Sequence, residues 1–463
     1  MPIPLISDFR KLSLPPRRFL VFSTFNVLSW FSLVGPVVVL FGRTIDMPAS
    51  WIGFLLSFMP LSMLLVMATI PLVTRFGPKK LMIATWIGRN LAASLVFLIP
   101  WALSAHGPRA AWIVLLAAVL SFCLVRAAGV GGWFPWLHEV VPDAEQNTFF
   151  STETALAQLC IVVVTLAQAA ILGHTPGVGH FMVIYAFGIA AGLISAGWLS
   201  RVPGGRATYD PEFPQNSFTS YAAAWANRPY IHFVATTALC YTCLAWINAS
   251  IVLYMRDELG FTDLKIMLIL SAGNLGVLLT IHYWGRFAEH TGTGYAALLA
   301  IIGHSCGALG YLLLPPDAPW TVWVLPPAYV ATNLLGMAYW TLTHRHMISV
   351  VDEEHKVGFT NIWILGTALS LGVTPIIAGY VIEHLHLAGF RTAFTIAGVG
   401  GLVFGIANYW VAYLRRPLHT ALSEMVNPML PVITLARIAW VTVGLHPSNR
   451  KRAAEAGKAA KAE

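Results

Sequence analysis

From residue 18 to residue 414 the chain reads as twelve apolar runs, each long enough to cross a bilayer, separated by short polar gaps. In lipid every backbone N–H and C=O must find its partner inside the segment, so a run of roughly 20 apolar residues is read as a transmembrane helix. The runs are 18–41, 50–73, 79–101, 110–136, 148–173, 180–200, 229–254, 264–288, 294–315, 320–346, 357–383 and 389–414. Hydrophobic residues make up 57% of the chain and charged residues 10%. Soluble domains carry about 25% charged residues, so a soluble protein is excluded. The basic start (Arg10, Lys11, Arg17, Arg18) leads into an apolar stretch from Phe19 to Phe41. That stretch outruns the roughly 7–15 residues of a signal peptide and lacks a small-residue cleavage site, so the first span is expected to be retained.

The gaps repeat themselves. Asp143-Ala-Glu145-Gln-Asn-Thr-Phe-Phe150-Ser151 and Asp352-Glu-Glu354-His-Lys-Val-Gly-Phe359-Thr360 lie 209 positions apart, each between the fourth and fifth run of its half. Phe25-Asn-Val-Leu28-Ser-Trp30 parallels Tyr241-Thr-Cys-Leu244-Ala-Trp246 at a separation of 216, and the turn at Gly77 parallels that at Gly292 at 215. A membrane chain that repeats itself at half its length reads as a transporter built from two pseudo-symmetric bundles. The expected division is a cytoplasmic segment 1–17, a six-helix bundle 18–200, a Pro- and Gly-rich linker 201–228, a second six-helix bundle 229–414 and a basic tail 415–463. Within that tail, Val432 to Leu445 is too short to span and is expected to lie along the membrane surface.

Basic residues set the orientation. With the N-terminus in the cytoplasm, inner segments hold thirteen Lys and Arg and outer ones only Arg43, Arg109, Arg256, Lys265 and Arg391, which places both termini inside and the chain in a cytoplasmic membrane. The net charge of +8 then follows from this bias and from a tail suited to anionic lipid headgroups, with no nucleic acid required. All five cysteines fall in apolar runs, so Cys240-Tyr-Thr-Cys243 is read as packing rather than as a redox or metal pair.

These features resemble the major facilitator superfamily (MFS) over roughly residues 15–415. The family's hallmark after helices 2 and 8 is a glycine, a carboxylate, a basic residue and a second glycine, which Gly285-Arg-Phe-Ala-Glu289-His290-Thr-Gly292 matches with Glu and His as substitutes. The first copy keeps Arg75 and Gly77 but has Thr74 where the acid belongs. The resemblance implies a cytoplasmic charge clasp in this loop, with Glu139, Glu145 or Glu153 as substitute acids. A solvated loop face is the alternative. Arg126-Ala-Ala-Gly129-Val-Gly131-Gly132 resembles the arginine-plus-glycines motif of proton-coupled members, whereas helix 5 lacks the Gly-Pro motif of drug/proton antiporters. The fold implied is all-α, twelve transmembrane helices in two six-helix bundles. The function implied is secondary transport of a small solute by alternating access, an organic anion or polar metabolite being the first expectation. A transporter-like scaffold or sensor, or a multidrug antiporter, are the alternatives, and no enzyme activity is expected.

Candidate binding residues follow from depth. A charged side chain at mid-bilayer costs at least about 2.5–3.5 kcal/mol, so one that is kept faces a cavity or a partner. Arg89 lies ten residues into helix 3 and Arg126 ten residues from the inner end of helix 4, about 15 Å from the inner face in each case at 1.5 Å per residue. Asn26 and Gln158 share the layer, and no Asp or Glu does. Guanidinium forks suit an anion, while capping of a broken helix or snorkelling is the competing reading. The second half offers aromatic and neutral polar groups: Trp246, Asn248, Asn274, Asn333, Tyr339, Trp340, Asn361, Trp363 and Thr367, with Trp30 in the first.

A co-transported proton is an optional partner, with Glu153, His282 and His304 as carriers. The bland reading of Glu153 is an ion pair with Arg75. His344, His346 and His355 beside 352–354 raise a metal site, but their spacing is not that of a helical zinc motif. No metal or cofactor is therefore expected, the partners being a small solute and membrane lipids, with the chain a monomer.

Overall fold

The computed structural model describes residues 9–206, 217–351 and 355–414. The helices that cross the expected membrane are α1 Leu14–Thr44, α2 Ala49–Val66, α3 Pro78–His106, α4 Pro108–Val130, α5 Asp143–Leu172, α6 Val178–Ser200, α7 Arg228–Glu258, α8 Asp263–Thr291, α9 Thr293–Leu313, α10 Thr321–Val350, α11 Lys356–Leu385 and α12 Leu387–Leu414. All but α10 are apolar enough over 18 residues to qualify as spans on composition alone. α10 is 30 residues long but is diluted by Pro326, Pro327, Asn333 and an inner end carrying Arg345.

Gly and Pro set the joints. α1 bends where Gly35 meets Pro36, because the proline has no N–H to give and a Cβ on Gly35 would lie 2.3 Å from the Phe31 carbonyl oxygen. Gly77 (φ +80°) and Gly292 (φ +91°) take the left-handed conformation at the α2–α3 and α8–α9 turns, so the repeat seen in sequence is also a repeat of backbone geometry.

Buried apolar side chains form three clusters, and their membership gives the shape. The largest draws on both bundles, for instance Leu33, Phe41, Phe122 and Phe181 with Trp246, Tyr254, Phe390 and Phe394. It occupies the end remote from the α6–α7 linker, here the far end. At the linker end the core divides: one cluster (Phe19, Trp86, Trp136, Phe149) runs from Leu12 to Val202, and the other (Phe233, Tyr241, Trp363 and neighbours) holds only residues from Ala224 onward. The two bundles share a core at the far end and part toward the linker end.

Close helix approaches weld the far end. On α2, Ala49, Gly53 and Leu61 repeat at helical spacing and face α11, where a Cβ on Gly53 would stand 2.2 Å from the Pro375 carbonyl oxygen and one on Gly379 2.4 Å from that of Ala49. α5 meets α8 through Ser271 Oγ, which donates to Thr165 Oγ1 at 2.8 Å, and through Leu264 N–H to the Gly173 carbonyl at 3.1 Å. Hydrogen bonds from Arg43, Ser50, Arg256, Leu264 and Ser271 join the bundles in this half of the molecule.

The linker is more ordered than its composition suggests. Residues 201–206 are strapped to the first bundle: Arg18 donates to the Arg201 carbonyl, Trp136 Nε1 to that of Pro203 (2.8 Å), and Gly205 N–H to Glu139 (2.8 Å). A helix, Ser217–Ala226, then seats on α11, where Asn361 Nδ2 donates to Tyr221 Oη at 2.6 Å. Residues 207–216, the 352–354 part of the second polar repeat and the tail 415–463 with its expected surface helix lie outside the described residues.

Candidate functional site

Arg89 projects from α3 into the place where the shared core gives way to the first bundle's own. Its guanidinium lies between two rings, 4.4 Å from Trp86 and 5.1 Å from Phe122, and the side chain is fully buried. Asn26 Oδ1 on α1 accepts from Arg89 Nη2 at 2.6 Å and from Trp86 Nε1 at 3.0 Å, which fixes the guanidinium plane. Nε and Nη1 of Arg89 are buried without a protein acceptor. A cation held this way keeps unspent donors in a low-dielectric site, where they attract an anion strongly.

Arg126 follows Phe122 by one turn of α4 and so lies on the same face. Among the described residues its Nη1 meets the sulfurs of Met59 (3.8 Å) and Met63 (3.4 Å), both weak acceptors, and the side chain is half-buried. Among the described residues neither arginine is paired with a carboxylate. Helix α4 reaches this position through its glycines. A Cβ on Gly129 would meet Thr85 Oγ1 at 1.9 Å and one on Gly132 would meet Pro78 at about 3.0 Å, so the Arg126-Ala-Ala-Gly129-Val-Gly131-Gly132 run is what lets α4 lie against α3.

The second bundle contributes an aromatic box. Tyr241 on α7, Trp340 and His344 on α10 and Trp363 on α11 form ring pairs with centroids 4.5–6.4 Å apart. Thr343 Oγ1 donates to the Tyr339 carbonyl (2.9 Å) and accepts from Tyr241 Oη (2.6 Å), while His344 Nδ1 lies 2.9 Å from the Trp340 carbonyl. Tyr241 and Trp363 form the buried back wall, and Trp340 and His344 keep half-exposed faces. The same stacking accounts for His344 and His346, the latter lying 4.2 Å from the Tyr413 ring.

The other expected residues are distributed differently. Trp30 is half-buried with its Nε1 unpartnered, and Trp246, 5% exposed, belongs to the far-end core. Asn248 is exposed, whereas Gln158 and Asn274 are half-buried. Asn333 has its Nδ2 buried without a partner and faces Gly273, at the crossing of α8 and α10. Asn361 holds the linker helix, Thr367 bonds the Trp363 carbonyl, and Tyr339 is fully buried near Asn408. His304 Nδ1 lies 3.0 Å from the Thr332 carbonyl, a packing role, and the side chain of His282 lies outside the described residues.

At the linker end, Glu289 pairs with Arg345 (3.7 Å), which also donates to the Gly285 carbonyl (3.4 Å), so the second-half hallmark is a clasp between α8 and α10. The first half differs. Arg75 is exposed and stacks on Phe76, Glu145 accepts from Ser13, Glu139 from Gly205, and Glu153 from Ser23 Oγ at 2.9 Å. The expected pair between Arg75 and Glu153 is thus replaced by a contact that carries Glu153 inward, one turn from Asn26.

Sequence reasoning passed over the far-end latch. Arg43 pairs with Asp257, and Arg256 reaches back to the Leu40 carbonyl and to Thr44 Oγ1 (3.1 Å) while sitting 3.4 Å from Asp263. Ser50 N–H donates to Glu383 at 2.9 Å. The available signal was that Arg43 and Arg256, exceptions to the inner bias of basic residues, stand at the same end of the paired helices α1 and α7.

No protein-family model and no curated protein matches the chain. Solved structures do. A point variant of the nucleoside transporter NupG aligns with TM-score 0.66 at 13% identity, covering 86% of this chain and 100% of that one. A bacterial homolog of the human lysosomal transporter Spinster, inward-facing and unoccupied, gives 0.62 at 14% identity over 87% and 98%. A bacterial homologue of the iron transporter ferroportin in the inward-facing state gives 0.61 at 12% over 84% and 98%. The chain therefore shares the fold of these solved structures, which among the described residues consists of twelve long helices in two bundles.

Proposed function

We propose that the chain is a secondary transporter that carries a small organic anion by alternating access, in a state whose central cleft opens at the linker end. The asymmetry of Lys and Arg assigns that end to the cytoplasm, so the state is inward-facing. The observation that carries the reading is the pair Arg89 and Arg126, buried or half-buried at mid-depth with no carboxylate on either. Retaining two uncompensated cations there is costly unless the cargo supplies the negative charge. Transport by the structural neighbours, named as carriers of nucleosides and iron among others, fits the same class of activity.

The division of labour follows from position. Asn26 orients Arg89, Arg126 offers its fork to the cleft, and the latch of Arg43, Arg256, Asp257 and Asp263 holds the far end shut while cargo exchanges with the cytoplasm. Glu153 supplies a carboxylate for a coupled proton. The test is uptake of a panel of labelled carboxylates and of neutral solutes into proteoliposomes. The reading expects carboxylate uptake. It also expects Arg126→Gln to weaken apparent affinity by about ten- to hundredfold, the worth of a charge-assisted hydrogen bond of about 1.5–3 kcal/mol. Uptake confined to neutral solutes and indifferent to Arg126→Gln would overturn it.

A further inference from the structure

Building on the anion reading above, the geometry points to a planar aromatic carboxylate as the cargo, its carboxylate on the Arg126 fork and its ring on Trp340 and His344. Depth supports the pairing. At 1.5 Å per residue Arg89, Asn26, Trp340 and Tyr241 all lie about 15–20 Å from the linker-end termini of their helices, and Arg126 lies one turn nearer that end than Phe122, whose ring meets the Arg89 guanidinium. α4 and α10 are counterparts in the repeat, so Arg126 and Trp340 stand on equivalent helices of the two bundles.

The chemistry narrows the class. The aromatic box is rigid at the back, where Tyr241 and Trp363 are almost fully buried and Tyr241 is tied to Thr343, and it presents flat faces at the front. Flat π faces stack on a flat ring better than on a puckered one. Around the arginines the remaining wall is Trp86, Phe122, Met59 and Met63, which are apolar and polarizable. The amide oxygen of Asn26 is already taken by two donors, and the groups left unspent there, Arg89 Nε and Nη1, are donors that suit an acceptor-only carboxylate.

Calorimetric binding to the purified full-length protein, with three probes, tests this. Benzoate is flat and charged, cyclohexanecarboxylate is charged but puckered, and benzamide is flat but neutral. Benzoate is expected to bind about fivefold or more tighter than cyclohexanecarboxylate, the range of an aromatic stacking contact, and benzamide not measurably. Trp340→Ala should abolish the preference for benzoate and leave cyclohexanecarboxylate binding in place, Trp340→Phe should restore most of the preference, and Trp323→Ala, a position 79% exposed, should change nothing. Equal binding of the two carboxylates, or a preference that survives Trp340→Ala, overturns the inference. If both carboxylates bind equally and both are lost in Arg126→Gln, the anion reading stands alone. If no carboxylate binds, both fall.

Discussion

Arg89 illustrates how a few side chains can make a buried charge tolerable without neutralising it. Two rings, one amide oxygen and no acid leave the cation stabilised but electrostatically unsatisfied. On α5, Glu153 Oε1 accepts from Ser23 Oγ, one turn of α1 from Asn26. In the proposed function Glu153 is the carboxylate that carries a coupled proton. Glu153→Gln, which mimics the protonated acid, is therefore expected to keep solute exchange while losing accumulation driven by a pH gradient. Gradient-driven uptake at the wild-type level in that variant would remove Glu153 from the mechanism. The depth of Arg89, Arg126 and Asn26 was legible in the sequence because helical rise converts residue count into distance. Their surroundings were not. Trp86, Phe122, Met59 and Met63 arrive from three helices whose facing sides depend on tertiary packing. Trp246, chosen as a cavity aromatic, lies instead in the far-end core, since a large apolar ring satisfies either setting.

Among the elements, α2 and α11 carry the closure of the far end. Gly53 and Gly379 allow backbone-to-backbone approach, and Ser57, one turn beyond Gly53 on the same face, is 1% exposed. Gly53→Val would drive a branched side chain into the Pro375 carbonyl, an overpacking cost of about 1–3 kcal/mol. The account expects that variant to raise the rate at which a Ser57→Cys thiol reacts with an aqueous maleimide. An unchanged rate would mean the helices do not part along this seam. The turns after the second and eighth runs were readable because Gly77 and Gly292 supply the positive φ they require, whereas the runs 50–73 and 110–136 overshot α2 and α4, which end at Val66 and Val130. Less readable was the linker. Its Pro and Gly content concealed the helix Ser217–Ala226, which is held by its contact with α11 rather than by any pattern of its own.

At the scale of the whole molecule, one shared core joins the bundles at the far end and two separate ones leave them apart toward the linker end, the arrangement that the proposed alternating access requires. The sequence repeat foretold the two bundles, but not which end would be closed, because that depends on latch residues whose charges only look misplaced in a linear reading. Removing the latch should shift the balance between inward and outward states, since a loss of about 1–3 kcal/mol changes a two-state ratio by roughly five- to hundredfold. The most direct test is a pair of spin-label distances in a cysteine-free background. One pair is Phe76→Cys with Ile348→Cys at the linker end, the other Trp101→Cys with Leu313→Cys at the far end, all four positions being exposed. In the wild-type latch the linker-end pair should be long and the far-end pair short, and adding Asp257→Asn with Arg256→Gln should shorten the first and lengthen the second. If both distances stay fixed when the latch is removed, the bundles do not rock about this site and the alternating-access account is contradicted.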